Sequence, residues 1–141
     1  MVKKLLFGGE RDLSLATNLG ITLLRIFAGF GLLYGHGIDK VRDPSGIIGF
    51  ATKTGFPLPW LFGWAAALSE FLGAGLLIFG LLTRVSSFFI ACTMLTGFLF
   101  VHLNDPFAKQ EKVLLYLFVA LLFLIKGSGD WSVDALISKR N

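Results

Sequence analysis

The sequence predicts an all-α protein, a four-helix transmembrane bundle with short amphipathic helices in its loops or at its termini. Hydrophobic residues make up 55% and charged residues 16% of the 141-residue chain, whereas an ordinary soluble domain has about 45–50% and about 25%. The mean hydropathy is +0.75, and four apolar runs approach the roughly 20 residues that a membrane-spanning helix needs. A soluble chain of this size could not bury so much apolar surface, so we expect the lipid bilayer to be its main partner.

One transmembrane domain is expected to fill the chain, because four spans with short loops use most of its length. The helices are predicted at about residues 18–36, 60–82, 85–102 and 112–126 of a domain that covers residues 1–141. Prolines in the long connection after the first helix stop that helix and set an extended start for the second. Between these prolines, residues 45–54 are expected to form a short helix on the membrane surface.

The later connections are marked by turn residues. Thr83-Arg84 predicts a tight turn after the second helix, and Asn104-Asp105-Pro106 ends the third. The fourth apolar run is short, so its flanking lysines would have to snorkel towards the interface. The tail from Gly127 to Asp134 breaks the helix and starts a short amphipathic one, which Trp131 would anchor at the interface.

The distribution of basic residues predicts the orientation. Four spans place both termini on one side of the membrane, where seven Lys and Arg flank the helices, against five on the other side. The positive-inside rule therefore predicts a multi-pass protein with both termini in the cytoplasm. The seven are Lys3, Lys4, Arg11, Arg84, Lys126, Lys139 and Arg140, and the five are Lys40, Arg42, Lys53, Lys109 and Lys112. These cations are scattered at helix ends, which suits anionic lipid head groups and indicates no nucleic-acid partner.

Familiar catalytic motifs are missing from the sequence. A single cysteine, Cys92, excludes an intramolecular disulfide and a CxxC redox pair. The chain has no dinucleotide-binding or phosphate-binding glycine loop, no HExxH and no GxSxG. His36 and His102 could ligate a metal with a nearby carboxylate, but no HxH or HxxxH spacing supports one. No metal and no covalent cofactor are therefore expected, and the catalytic residues are unknown.

Arg25 and Glu70 are the two charged residues that lie inside apolar runs. A charge at the bilayer centre costs at least about 2.5–3.5 kcal/mol, so such residues usually face the bundle interior and have a partner. Counted along their helices, Arg25 lies roughly 10 Å and Glu70 roughly 18 Å from the side that holds the termini. We predict a structural ion pair between them. The pair could only lock two helices together, or it could line a ligand or proton-coupled site.

His36 and His102 end the first and third helices, so they emerge on the same side of the membrane. Eleven residues separate Arg25 from His36, which places them within about 20° of one helix face, and Lys40 extends that face if the helix continues. A polar cleft that opens on the non-cytoplasmic side is therefore predicted. Its candidate ligand-binding residues are Arg25, His36, Lys40, Glu70 and His102. The alternative is that both histidines are interfacial residues bonded to loop carbonyls.

Taken together, several motifs resemble the DoxX family of small bacterial membrane proteins. They are Leu24-Arg25, His36-Gly37-Ile38-Asp39-Lys40, Gly55-Phe56-Pro57, Glu70, Gly80-Leu81-Leu82-Thr83-Arg84, His102 and the tail from Gly127 to Asp134. The resemblance extends from Leu19 to about Ile137. It implies a four-helix fold in the bacterial inner membrane, and it assigns the polar site to the same five residues.

The resemblance also implies a quinone-linked role, because members are associated with quinone oxidoreductase, oxidative-stress and catechol or quinone detoxification systems. The leading hypothesis is a quinone-interacting subunit or accessory protein, with a quinone as the ligand and a partner protein or a bound reductant as the electron donor. The first alternative is a protein that binds or transports a small solute, which would need a homo-oligomer. The second is a non-catalytic scaffold subunit in which the ion pair only joins helices.

Overall fold

The computed structural model describes residues 6–9 and 12–139, and the stretch from 12 to 139 is helical without any strand. Six helices follow one another in this stretch. They are α1 (Leu15–Arg42), α2 (Ser45–Lys53), α3 (Pro59–Phe79), α4 (Thr83–His102), α5 (Phe107–Lys126) and α6 (Val133–Lys139). The all-α class is therefore confirmed.

Three of these helices, α1, α3 and α4, are long and apolar enough to cross a membrane, with 28, 21 and 20 residues. Helix α5 is also 20 residues long, but Lys109, Glu111 and Lys112 lie in its first two turns and make that end polar. The structure thus supports three membrane-spanning helices. The fourth span, and with it the four-helix transmembrane bundle, stays a prediction.

Large apolar side chains cover the outside of the helices. Phe27 on α1 is 78% exposed and Ile125 on α5 is 75% exposed. A soluble surface rarely carries so much contiguous apolar area, whereas lipid tails solvate it without penalty. The interior is small by comparison and contains Leu32, Leu77 and Phe123. This outside-apolar arrangement confirms the predicted bilayer environment.

Each of the three spanning helices contains one π-helical turn, at Leu33–Gly37 in α1, Ser69–Gly73 in α3 and Phe98–His102 in α4. A π turn bonds each residue to the fifth along rather than the fourth, and such turns are frequent at functional sites. The one in α1 carries the helix past Gly37 to Arg42. Helix α1 therefore ends six residues beyond the predicted boundary at residue 36.

Helices α1 and α3 touch backbone to backbone. A Cβ atom on Gly37 would lie 2.5 Å from the Glu70 carbonyl oxygen, and one on Gly29 would lie 2.9 Å from that of Ala74. Small residues permit this approach where helices cross in a membrane. Helix α2 packs on the first half of α3, where Ile48 faces Gly63.

The tail from Gly127 to Asp134, which includes the start of α6, folds back against the start of α4. Its Asp134 carboxylate accepts hydrogen bonds from the backbone N–H groups of Leu82 (2.8 Å) and Thr83 (3.0 Å). These are N–H groups at the first turn of α4, which have no partner within the helix. Ser128 and Asp134 are buried, so the tail is part of the packed protein, while Trp131 stays exposed.

The predicted orientation is not settled by this fold. Four of the basic residues on which it depends, Lys3, Lys4, Arg11 and Arg140, lie outside the described residues. The cytoplasmic position of the termini stays a prediction.

Candidate functional site

The buried carboxylate of Glu70 is paired with Lys40, not with Arg25. The Lys40 Nζ atom lies 2.6 Å from both Glu70 carboxylate oxygens. The Glu70 side chain is 3% exposed and that of Lys40 is 31% exposed. The predicted Arg25–Glu70 ion pair is therefore wrong.

Continuation of α1 through its π turn explains the Lys40 pair. Gly37 lies against the Glu70 carbonyl, and Lys40 follows one turn later on the same helix. Its long side chain then reaches the carboxylate across the crossing. An end of the helix at residue 36, as predicted, would have left Lys40 in a loop.

Arg25 lies at the other end of the crossing, beside the α3–α4 turn. It is 2% exposed and donates hydrogen bonds to the carbonyl oxygens of Ser128 (2.6 Å) and Trp131 (2.8 Å). Its guanidinium also faces Gly80, ten residues along α3 from Glu70, or about 15 Å. Arg25 thus binds the tail of the chain and takes no part in the Lys40–Glu70 cluster.

His36 belongs to the cluster through its position in the π turn of α1. Glu70, Lys40 and Lys112 are all close enough for their charges to act on its imidazole. Its ring meets that of Tyr116 on α5 edge to face, with the centroids 6.3 Å apart at 82°. The described part of the chain gives His36 no hydrogen bond, so both ring nitrogens can still bind a ligand.

His102 is separate from this cluster. Its Nδ1 atom lies 2.8 Å from the Oδ2 atom of Asp105 in the α4–α5 connection, and Gln110 donates a hydrogen bond to its backbone carbonyl. It therefore braces a connection between helices. Only three of the five predicted residues, His36, Lys40 and Glu70, come together.

Tyr116 is a neighbour of His36 that the sequence did not reveal. It lies in the middle of the apolar α5, where an aromatic residue gives the same sequence signal as the lipid-facing phenylalanines. One indication was available, because a phenol inside a membrane helix carries a polar group that needs a partner or an opening.

A family model matches the part of the chain that carries His36, Lys40 and Glu70. The DoxX family model matches residues 20–103, more than half of the chain. The chain belongs to the DoxX family. The match includes His36, Lys40 and Glu70, whereas Tyr116 and the tail lie beyond it.

Two curated relatives extend the likeness over most of this DoxX-family protein. "Inner membrane protein YqjF" of Escherichia coli (strain K12) is 34% identical over 134 residues, covering 89% of this chain and 92% of its own. "Putative oxidoreductase CatD" of Bacillus subtilis (strain 168) is 30% identical over 123 residues, covering 86% and 90%. No solved structure matches the chain.

The cluster's chemistry is that of hydrogen bonding and charge. Within residues 6–9 and 12–139, no group of three or more His, Cys, Asp and Glu side chains is arranged to hold a metal ion. What the cluster does offer is a buried carboxylate with its counter-ion, and an imidazole beside them that has both ring nitrogens available.

Proposed function

We propose that this DoxX-family protein is a quinone-binding subunit or accessory protein of an inner-membrane redox or detoxification system, with its site at His36, Lys40 and Glu70. One observation carries the proposal: a sealed carboxylate on one helix is held by a lysine on another, with an unbonded imidazole next to them. All three lie on or next to π-helical turns of α1 and α3.

The residues present fit a quinone. A quinone ring needs hydrogen-bond donors at its carbonyl oxygens and an apolar surrounding for its faces. The His36 imidazole supplies a hydrogen-bond donor from one of its ring nitrogens. The Lys40–Glu70 pair places a fixed dipole beside the imidazole. The free-energy cost of burying the Glu70 carboxylate is offset only while Lys40 stays paired with it.

The relatives support the redox and membrane parts of the proposal. CatD carries an oxidoreductase name and YqjF an inner-membrane name. We extend those roles to this chain because the likeness covers more than four fifths of each protein. With a single cysteine and no flavin or haem motif in the sequence, electrons would come from a partner protein or from a bound reductant.

In this proposal, α5 forms the fourth membrane span and both termini lie on the cytoplasmic side. Helix α5 packs along α4 and buries Leu117, Ala120 and Phe123, so it would cross the bilayer beside α4 with its charged first turns at the interface. Both termini would then lie in the cytoplasm. A homo-oligomer would let two copies cover each other's outward faces.

Binding of ubiquinone-1 to the purified protein in lipid nanodiscs tests the site. Quenching of the tryptophan fluorescence gives the affinity. His36→Ala should weaken binding about 3- to 10-fold, since one net hydrogen bond is worth about 0.5–1.5 kcal/mol. His102→Ala is the matched control, because the chain has two histidines and His102, at the end of α4, bonds to Asp105 outside the cluster. Equal affinities for the wild type and His36→Ala would refute the proposal.

A further inference from the structure

The hydroxyl group of Tyr116 is a second polar group beside His36 without a bond. The described residues provide no hydrogen bond to this hydroxyl, while the Tyr116 ring meets that of His36 and packs against the interior of the bundle. The hydroxyl is not among the fully enclosed, unpartnered polar atoms either. The hydroxyl oxygen therefore keeps some accessible surface to which a ligand can bind.

Gly31 makes room for this hydroxyl. A Cβ atom on Gly31 would lie 2.6 Å from the Tyr116 Oη atom and 3.7 Å from the Cζ atom. The first distance is far below ordinary contact and the second is an ordinary one. Hence the glycine accommodates the oxygen of Tyr116 specifically, and phenylalanine would not need it.

Tyr116 lies where α5 passes α1, next to His36 and Gly31. Helix α5 packs closely along α4 and touches α1 only lightly. Phe27, one turn before Gly31 on α1, and Leu115, next to Tyr116 on α5, are exposed and apolar. In a bilayer this side of the protein borders lipid tails, so a lipid-soluble molecule can approach the two polar groups without crossing water.

We propose that Tyr116 and His36 together bind the ring oxygen of a quinone that reaches the site laterally from the bilayer, between α1 and α5. The inference rests on the proposed function and adds to it the group that fixes the ligand and the direction of approach. The phenol donates a hydrogen bond to a carbonyl oxygen, or accepts one from the hydroxyl of the reduced ring. The His36 imidazole on α1 binds the same ring oxygen from the other side of the α1–α5 contact.

A tyrosine substitution with a matched control tests the hydroxyl. The chain has two tyrosines, and Tyr34 is exposed and stacked on Phe30. Two residues separate Tyr34 from His36, so they point to roughly opposite sides of the helix. Tyr116→Phe should weaken ubiquinone-1 binding about 3- to 10-fold, as expected for one neutral hydrogen bond. Tyr34→Phe should leave the affinity unchanged.

The Tyr34→Phe variant also allows a direct spectroscopic test of whether the Tyr116 hydroxyl contacts the ligand. In the Tyr34→Phe protein, Tyr116 is the single tyrosine, so labelling with 3-fluorotyrosine gives one fluorine resonance from this site. Addition of ubiquinone-1 should shift that resonance with the same dissociation constant as the fluorescence titration. A resonance that does not move while the quinone binds would overturn the inference.

A double-mutant cycle tests whether Gly31 acts through the hydroxyl. Gly31→Ala should weaken binding in the wild type by displacing the Tyr116 oxygen, and should cause no further loss in Tyr116→Phe, where the nearest remaining ring atom is at ordinary contact. Gly20→Ala on the same helix is the control, because a Cβ atom there meets nothing within 4 Å. Additive losses from Gly31→Ala and Tyr116→Phe would overturn this role of Gly31.

The possible results separate this inference from the proposed function. If His36→Ala weakens binding and Tyr116→Phe does not, the quinone site stands and the role of Tyr116 is refuted. If neither the fluorescence nor the fluorine resonance detects ubiquinone-1, both proposals fail together. Weaker binding in Tyr116→Phe, a shifted resonance and a non-additive cycle support the inference.

Discussion

Replacement of Gly37 by alanine tests the helix crossing on which the site depends. The new Cβ atom would lie 2.5 Å from the Glu70 carbonyl oxygen, 2.7 Å from its carbonyl carbon and 2.8 Å from the Phe71 Cα atom. Ordinary contacts between such atoms are about 3.5–4.0 Å. All three neighbours are backbone atoms, so no side-chain rotation relieves the clash. Helices α1 and α3 must move apart by about 1 Å.

The expected cost follows from this displacement. Overpacking of a well-packed interior costs about 1–3 kcal/mol, and rigid backbone neighbours favour the upper part of that range. Alanine recovers roughly 0.5–1 kcal/mol over glycine inside a helix. We therefore expect Gly37→Ala to lower the free energy of unfolding by about 1–2 kcal/mol. A shift of about 1 Å would also lengthen the Lys40–Glu70 contact from 2.6 Å beyond hydrogen-bond range, so ubiquinone-1 should bind more weakly.

Gly35 provides the matched control two residues away on the same π turn. A Cβ atom on Gly35 meets nothing within 4 Å, so Gly35→Ala should be neutral or slightly stabilising. Unfolding by sodium dodecyl sulfate in mixed micelles, followed by circular dichroism, measures both variants. A Gly37→Ala protein at least as stable as Gly35→Ala would refute the close crossing of α1 and α3.

Three further predictions concern the charged groups and the fourth helix. Lys40→Met leaves Glu70 buried without its counter-ion, so it should lower the free energy of unfolding by roughly 1–3 kcal/mol in the same assay; partial solvation of Lys40 limits the loss. The double variant Lys40→Met/Glu70→Gln should recover most of this stability. Arg25→Met removes two charge-assisted hydrogen bonds to the tail, so trypsin should cut after Lys126 at least several-fold faster than in the wild type. Single cysteines placed near the start of α5 and near the end of α6 in a Cys92→Ser background test the fourth span. Ala108→Cys should react with an impermeant maleimide from outside the cell, and Ser138→Cys should react only after permeabilisation. Labelling of both positions from the same side of the membrane would exclude α5 as a span.

The sequence was sufficient for the membrane class because that class depends on composition and run length. It also identified Glu70 as a buried charge, since a carboxylate inside an apolar run has no other favourable position. It did not identify the partner of Glu70. The π turn at Leu33–Gly37 extends α1 and delivers Lys40, and ideal 100° spacing cannot anticipate the extra residue in such a turn.

The partner of Arg25 was missed for a different reason. Counting residues from the helix ends predicted that Arg25 lies near Glu70. The carbonyl oxygens that accept its hydrogen bonds belong instead to Ser128 and Trp131, more than 100 residues later in the chain. Backbone acceptors leave no residue type to find in a sequence. The position of Tyr116 was hidden in the same way, because only the packing of α5 against α1 and α4 separates it from a lipid-facing aromatic residue.

The two buried charge centres differ in a way that separates structure from function. Arg25 is sealed, with its side chain 2% exposed and two of its nitrogens bound to backbone carbonyls, so no ligand can reach it without displacing the tail. Lys40 remains 31% exposed, and the His36 nitrogens and the Tyr116 hydroxyl beside it have no bond within the described chain. Burial, not full hydrogen bonding, separates the two centres, because the Arg25 Nε atom is enclosed without a partner among the described residues. A ligand can therefore reach the Lys40 end of α1 and not Arg25, in keeping with the proposed site at His36, Lys40 and Glu70.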